Sequence, residues 1–136
     1  MNTTIDGICQ DALFFFDGRP HALSLYAAFA RRALKAFPGT EIRVQKTQIS
    51  FYDGQMYACI SMTPVRPRAE RPAHFITVSF GLDMPLDDPR AIPAMVRPNR
   101  WTHHVVIGDA AEIDDALMKW IARSHAISSE RKRRHA

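Results

Sequence analysis

A cysteine and a histidine are the residues of this sequence best suited to catalytic chemistry. Cys59 lies in an alternating segment, residues 55–63, and His104 lies in another, residues 101–107. If both segments are strands, the two side chains share the polar face and lie close together when the strands pair favourably. An imidazolium neighbour lowers the pKa of a thiol, which is the minimum that a thiolate nucleophile needs. The pair defines an enzyme hypothesis, although no local signature of a cysteine hydrolase accompanies it.

The adjacent histidines His103 and His104 invite a second hypothesis, a metal site. Consecutive side chains on a strand point to opposite faces, so these two imidazoles cannot chelate one ion together. His103 shares its parity with Val105 and Ile107 and is predicted to be a hydrogen-bonded residue of the core or its rim. No phosphate-binding loop, dinucleotide fingerprint, zinc motif or hydrolase elbow occurs in the sequence. We therefore expect neither a metal nor a cofactor.

A polar face of the predicted sheet is a more extensive candidate site. Because successive side chains of a strand point to opposite faces, the predicted strands place hydroxyls, a thiol, a cation and aromatic rings on the face opposite the apolar core residues. The predicted ligand-binding residues are Lys46, Gln48, Tyr52, Tyr57, Cys59, Ser79 and His104. The apolar, core-facing residues have even numbers up to Val44 and odd numbers from Ile49 onwards. A bulge or bend at about residues 46–47 is therefore needed to keep the polar side chains on one face. The alternative is a merely solvated face, which is common in antiparallel sheets.

Two amphipathic helices and several antiparallel strands must position that face. Apolar residues recur at helical spacing over residues 20–37 and again from about Asp109, which starts a capping-box-like sequence, to about Ser124. Asp53-Gly54 predicts a hairpin. Alternation predicts strands over residues 41–53, 55–63, 74–82 and 101–107, whereas the proline-rich residues 64–72 and 83–100 are predicted to be loops.

This order of elements predicts an α+β fold with two layers. The expected architecture is a curved antiparallel sheet of about four to five strands with two helices packed on one face. Residues 1–129 are expected to form a single domain, and residues 130–136 a disordered basic tail. The predicted core contains Leu23, Ala30, Leu34, Ile60, Val78, Val105, Leu117 and Trp120.

The charge of the chain disfavours one class of partner. The 136 residues contain 18 basic and 14 acidic side chains, a formal net charge of +4. Four of the basic residues form the terminal cluster 131–134, next to Glu130, so the remaining body holds 14 basic and 13 acidic side chains. A nearly neutral body lacks the basic face of a dedicated nucleic-acid domain. Weak nucleic-acid binding through the arginine-rich loops and the tail is therefore the third functional hypothesis.

The location of the protein is also predicted from composition. No apolar run approaches the ~20 residues that cross a bilayer, and the N-terminus has no basic region ahead of an apolar stretch. Cys9 and Cys59 lie far apart and outside any Cys-x-x-Cys motif, so both are predicted to be reduced thiols. We therefore expect a cytoplasmic protein without membrane contact.

Two motifs carry a resemblance to a known family. Residues 46–51, Lys-Thr-Gln-Ile-Ser-Phe, and residues 101–105, Trp-Thr-His-His-Val, are followed by Ile113-Asp114-Asp115 and Trp120-Ile121. In this order, and with a helix before the first motif and another after the second, they resemble the small bacterial family called Domain of Unknown Function 5655. The resemblance spans nearly the whole chain. It implies a compact domain and brings no reaction, ligand or catalytic residue.

The preferred functional hypothesis is a non-enzymatic binding or protein-interaction module that uses the open sheet face, with a homodimer or another protein left open as partner. The alternative is a small enzyme acting on a polar metabolite through Lys46, Tyr52, Cys59 and His104. Convergence of these four residues on a concave pocket favours the enzyme, and their dispersal over the face favours the binding module.

Overall fold

A computed structural model describes the backbone of residues 10–134 and the side chains of residues 10–131. Within this part of the chain lie three helices and six strands, with short 3-10 turns at Arg68–Glu70 and Ala110–Glu112. The elements in order are α1 (Gln10–Phe15), α2 (Pro20–Ala36), β1 (Glu41–Val44), β2 (Ile49–Asp53), β3 (Gln55–Ser61), β4 (Ile76–Leu82), β5 (Ala91–Arg97), β6 (Arg100–Ile107) and α3 (Asp115–Arg134).

The strands form one open antiparallel sheet in the order β1-β2-β3-β4-β6-β5. Its register pairs Ile49 with Ile60, Ile60 with Val78, and Val78 with Val105. These four side chains form a buried apolar row across the central strands. Because successive side chains alternate between faces, the residues of the other parity form the opposite face, which we call the open face.

Both long helices cover the face that carries the apolar row. The rings of Tyr26 and Phe29 in α2 lie 6.3 Å and 5.3 Å from the ring of Phe51, measured between centroids. The ring of Trp120 in α3 lies 6.2 Å from that of Phe80. Phe51 and Phe80 stand two positions along their strands from members of the apolar row and so point the same way. This arrangement gives two layers, and neither of the two long helices covers the open face.

The sheet has six strands rather than the predicted four to five, and the first reason is a hairpin turn. Residues 41–53 form β1 and β2 instead of one irregular strand, and the N–H of Gln45 donates to the carbonyl of Gln48 at 2.8 Å to close the turn. The parity slip between Val44 and Ile49 is therefore a change of strand. The bulge lies elsewhere, between Phe51 and Tyr52.

The second reason is β5, which lies in the proline-rich segment that was predicted to be a loop. β5 is an edge strand, and among the described strands its one partner is β6. Proline is tolerated on an edge strand because its missing N–H removes no bond from the interior of the sheet, so Pro93 fits there. The turn into β6 places Asn99 at a φ of 63°, a left-handed conformation that asparagine adopts more readily than most residues.

The helices also differ from the prediction. α1 is a third helix, and α3 continues through Arg134, beyond the predicted end at about Ser124. No proline or glycine interrupts α3, and Ile127 packs against the core, so the helix has both the propensity and the contact to continue. Residues 130–134, predicted to be a disordered tail, therefore have helical backbone. Cys9 and residues 135–136 lie outside the described residues.

The predicted core is buried at its centre and half-exposed at its margins. Ala30, Ile60, Val78, Val105 and Leu117 are buried. Leu23, Leu34 and Trp120 are only partly buried and pack around that core. The hairpin at Asp53-Gly54 is confirmed, with Gly54 at a φ of 78° between paired Asp53 and Gln55.

Candidate functional site

A continuous row of polar side chains crosses the open face. The register pairs Ser50 with Cys59, Cys59 with Ser79, and Ser79 with His104. Ser79 Oγ and His104 Nδ1 share a hydrogen bond of 2.7 Å, and the Ser79 hydroxyl also hydrogen-bonds the Cys59 thiol. Three of the residues predicted for the site, Cys59, Ser79 and His104, are thus neighbours on adjacent strands.

Burial determines the protonation of this row. Desolvation raises the pKa of the Cys59 thiol, and the hydrogen bond with Ser79 opposes that effect without reversing it. Desolvation also lowers the pKa of His104. Near pH 7 both groups are therefore neutral, because low polarity disfavours the charged form of each. This is the opposite of the thiolate and imidazolium that a cysteine nucleophile requires.

The polar row extends to the β1–β2 turn through Ser50. Gln48 Nε2 donates to Ser50 Oγ at 2.9 Å, and Ser50 Oγ donates to Gln45 Oε1 at 2.7 Å. Gln48, a predicted site residue, therefore lies next to the row. Lys46 occupies the exposed tip of the same turn. Gln45 was missed because the prediction placed these residues within a strand and not in a turn.

The two tyrosines predicted for the site do not join the row. Tyr52 lies near the β1 edge, where the guanidinium of Arg43 stands 4.1 Å from the centroid of its ring. Tyr57 was expected on the open face, but the bulge in the β2–β3 pairing turns its ring under the helices. There the ring centroid lies 5.2 Å from those of Phe37 and His125.

The hydroxyl of Tyr57 lies in the same buried environment as its ring. It shares a hydrogen bond of 2.7 Å with the Thr40 hydroxyl. Desolvation raises the pKa of Tyr57 to about 12, although the bond to Thr40 opposes this shift. A neutral, buried phenol with an internal partner is a packing residue on the helix side of the sheet.

A pocket opens where β3 and β4 diverge at one end of the polar row. The pairing of these strands ends at Cys59 and Ser79, and Ser124 of α3 occupies the gap beyond. Ser124 Oγ accepts from the N–H of Gly81 at 3.3 Å and donates to the carbonyl of Tyr57 at 2.7 Å. The pocket has a volume of about 220 Å³, and its polar lining consists of Cys59, Ser79, Thr102, Ser124, Ser128 and Arg131.

Four of these polar lining residues were missed by sequence reasoning: Thr102, Ser124, Ser128 and Arg131. Ser124 and Ser128 are spaced by one helical turn, so a pair of small polar residues on one face of α3 was the available signal. Thr102 shares the parity of His104 and was detectable by alternation. Arg131 was assigned to the tail and not to the domain.

The residues of the enzyme hypothesis do not converge on this pocket. Cys59 lines it, whereas Lys46, Tyr52 and His104 do not. His103 is fully buried, and its Nε2 accepts a hydrogen bond of 3.0 Å from the N–H of Leu86, which confirms the predicted structural role. In the described part of the chain, no group of three or more His, Cys, Asp or Glu residues is placed to hold a metal ion.

The fold and site define a two-layer α+β protein with a polar sheet face that no described helix covers, although Ser50 and Ser79 on it are buried, and with a pocket at one end of that face. The family model described as Domain of unknown function (DUF5655) matches residues 14–128, and the chain belongs to that family. No curated protein and no solved structure matches the chain. Among the described helices, none has the length and apolar character needed to cross a membrane.

Proposed function

We propose that this domain is a non-enzymatic binding module whose polar ligand occupies the pocket at the end of the open face. The observation that carries the proposal is the convergence of the Cys59 thiol and several hydroxyls on one concave space. Small-molecule sites are typically concave and contain a few polar groups that converge on the ligand. The hydroxyl of Thr102 can donate and accept hydrogen bonds, and the hydroxyl of Ser128, which donates to the carbonyl of Met56 at 3.2 Å, can accept one, which suits a ligand rich in hydroxyl or carbonyl groups.

The protonation of the site favours binding over covalent catalysis. The raised pKa of Cys59 keeps the thiol protonated, and a protonated thiol is a poor nucleophile. Ser124 is already engaged with two backbone groups that hold α3 to the diverging strands. The two hydrogen bonds of Ser124 thus stabilise the shape of the pocket, and neither Ser124 nor the protonated thiol of Cys59 is activated as a nucleophile.

The hydrogen bond between Ser79 and His104 supports the alternative, a small enzyme acting on a polar metabolite. Its 2.7 Å length is suitable for a serine and a general base. Ser79 is nevertheless 8% exposed, so its hydroxyl has little access to a substrate carbonyl. A fluorophosphonate probe tests this function: stoichiometric labelling of Ser79, abolished in His104→Ala, would favour the enzyme over the binding module.

The binding module is tested by mapping ligand contacts on the protein. Pools of polar metabolites are added to ¹⁵N-labelled protein, and amide shifts are followed. We expect the perturbed amides to cluster at Gly81 and Thr102, and Ser128→Leu to abolish the perturbation by filling the pocket. Ala122→Leu places the same side chain on an exposed position of α3 and serves as the control.

Perturbations confined to other surfaces, or unaffected by Ser128→Leu, would reject the pocket as the binding site. A separate measurement distinguishes a small ligand from a protein partner. A protein partner or a homodimer remains the alternative to a small ligand, and sedimentation of the purified protein over a range of concentrations tests the homodimer. Concentration-dependent association that Ser128→Leu disrupts would move the proposal from a small ligand to a second copy of the chain.

A further inference from the structure

Three arginines from separate elements converge at the outer end of the pocket. Two depressions adjoin it, one of about 240 Å³ and one of about 200 Å³. Arg131 of α3 lines the pocket and both depressions. Arg100 of β6 lines both depressions, and Arg97 of β5 lines the smaller one. We call Arg97, Arg100 and Arg131 the arginine cluster.

The described lining of these three spaces is basic. No aspartate or glutamate is among the described residues that line the pocket or its two neighbours. The opposite holds around Arg66 and Arg90, whose depression is also lined by Glu70 and Glu112. Arg97 and Arg100 therefore place their positive charges on a concave surface whose described lining holds no carboxylate.

The register of the β5–β6 hairpin brings two positive charges close together, which is energetically unfavourable in the absence of an anion. Arg97 and Arg100 are direct cross-strand partners, and like charges at such positions repel each other. The ion pairs between described residues include neither of them. An anion bound between these two guanidinium groups would relieve the repulsion. The hairpin therefore favours anion binding at this position.

We propose that the arginine cluster binds the phosphate group of a small phosphorylated ligand, whose uncharged polar part occupies the adjoining pocket. Guanidinium groups bind phosphate oxygens through paired hydrogen bonds, and Arg131 connects the pocket with both depressions. The inference rests on the proposed function and names the ligand class of the same site.

The confined space selects a small ligand over a polynucleotide. The pocket and each depression measure about 200–240 Å³, the scale of one phosphate and one sugar-sized group. A nucleic-acid groove would need cations continuing along a path, as phosphate contacts accumulate along a strand. Arg66 and Arg90 do not extend the cluster, because they pair with Glu70 and Asp114 at 3.8 Å and 3.0 Å.

The experiment compares ribose 5-phosphate, ribose, inorganic phosphate and a single-stranded oligonucleotide as probes of ¹⁵N-labelled full-length protein. We expect ribose 5-phosphate to shift the amides of Gly81 and Thr102 and to bind at least tenfold more tightly than ribose or phosphate alone. Arg100→Gln should weaken its binding at least tenfold. Arg68→Gln removes the same charge from an exposed turn and should leave binding unchanged.

A second readout separates a lost site from a damaged fold. Because Arg97 and Arg100 repel each other, Arg100→Gln should leave the melting temperature of the ligand-free protein unchanged or slightly raised. The same variant should remove the increase in melting temperature that ribose 5-phosphate produces in the parent protein. A lowered melting temperature without ligand would show that Arg100 is a structural residue and would overturn the inference.

The remaining outcomes distinguish this inference from the proposed function. Ribose binding at the pocket as tight as that of ribose 5-phosphate, and insensitive to Arg100→Gln, would overturn the phosphate site while the binding module stands. Binding of the oligonucleotide alone would overturn the small-ligand class. Absence of any shift at Gly81 and Thr102 with these probes would overturn the phosphate site, while a positive metabolite pool would still support the binding module.

Discussion

The hydroxyl of Ser124 donates a hydrogen bond of 2.7 Å to the carbonyl of Tyr57, across the gap where β3 and β4 separate. The same oxygen accepts from the N–H of Gly81 at 3.3 Å on the other side of the gap. One buried side chain of α3 thus satisfies a backbone group of each diverging strand. The pocket exists because the strands separate there without leaving these two groups unpaired.

The first prediction concerns Ser124. Ser124→Ala removes a buried partner from two backbone groups, and leaving buried polar groups unsatisfied costs ~1–3 kcal/mol. We expect the free energy of unfolding, measured with urea, to fall by about that amount. Ser129→Ala on the same helix, where the side chain is half-buried, is the control. Equal effects of the two substitutions would show that the bridge across the gap contributes no specific stability.

The second prediction compares two neighbours on β6. Val105 is 1% exposed, and its truncation to alanine should cost roughly 2 kcal/mol through lost burial and the resulting cavity. His104 is half-buried on the open face, and His104→Ala loses mainly its bond to Ser79, at a cost of ~1 kcal/mol. Denaturant unfolding of both variants measures the difference. A loss for His104→Ala that equals or exceeds the loss for Val105→Ala would identify a structural histidine instead of an open-face residue.

The third prediction concerns the reactivity of Cys59. Because burial raises the pKa of this thiol, the fraction of thiolate at any pH from 7 to 9 is lower than in an exposed cysteine. In a Cys9→Ser background, alkylation by iodoacetamide should be slower than that of an unstructured cysteine peptide throughout this range. Its rate should still be rising at pH 9. Alkylation faster than that of the peptide at pH 7 would support the enzyme alternative.

The fourth prediction follows from the burial of His103. Desolvation and the neighbouring His104 lower the pKa of His103 from its ordinary value of 6.5. The unfolded chain therefore binds a proton more readily than the folded one, so stability is complete above about pH 6.5 and decreases as the pH falls below it. Urea unfolding between pH 5 and 7.5 should show this decrease.

The control for this prediction is a variant that keeps the ring but cannot bind a proton. The ring of His103 stacks on that of Phe80 with centroids 5.5 Å apart, and His103→Phe retains this packing. The variant should lose stability overall, because the N–H of Leu86 loses its acceptor. Its unfolding free energy should nevertheless depend less on pH than that of the parent protein. An unchanged pH dependence would assign the effect to other groups.

Several features of this protein could be predicted from sequence because they depend on local backbone geometry. Alternation places Ile60, Val78 and Val105 on one face of their own strands whatever the neighbouring strands do, since successive side chains of any strand point in opposite directions. Asp53-Gly54 specifies its hairpin through the positive φ that glycine adopts readily. The motifs of residues 46–51 and 101–105 were likewise sufficient to indicate the family.

Other features depended on contacts between residues that are distant in sequence. Pro93 argues against a strand in the interior of a sheet, but it is tolerated in β5 because β5 lies at the sheet edge. The position of a strand in the sheet depends on contacts between distant segments, so local sequence did not reveal it. Tyr57 has the parity of the open face by counting, yet a one-residue bulge against β2 turns it into the core. The pocket and the arginine cluster arise where β3 and β4 diverge and where the end of α3 meets the β5–β6 hairpin. The alternation of side chains along a strand specifies its faces but not its partners, so the sequence predicted the polar row, whereas only tertiary packing determined the pocket beside it.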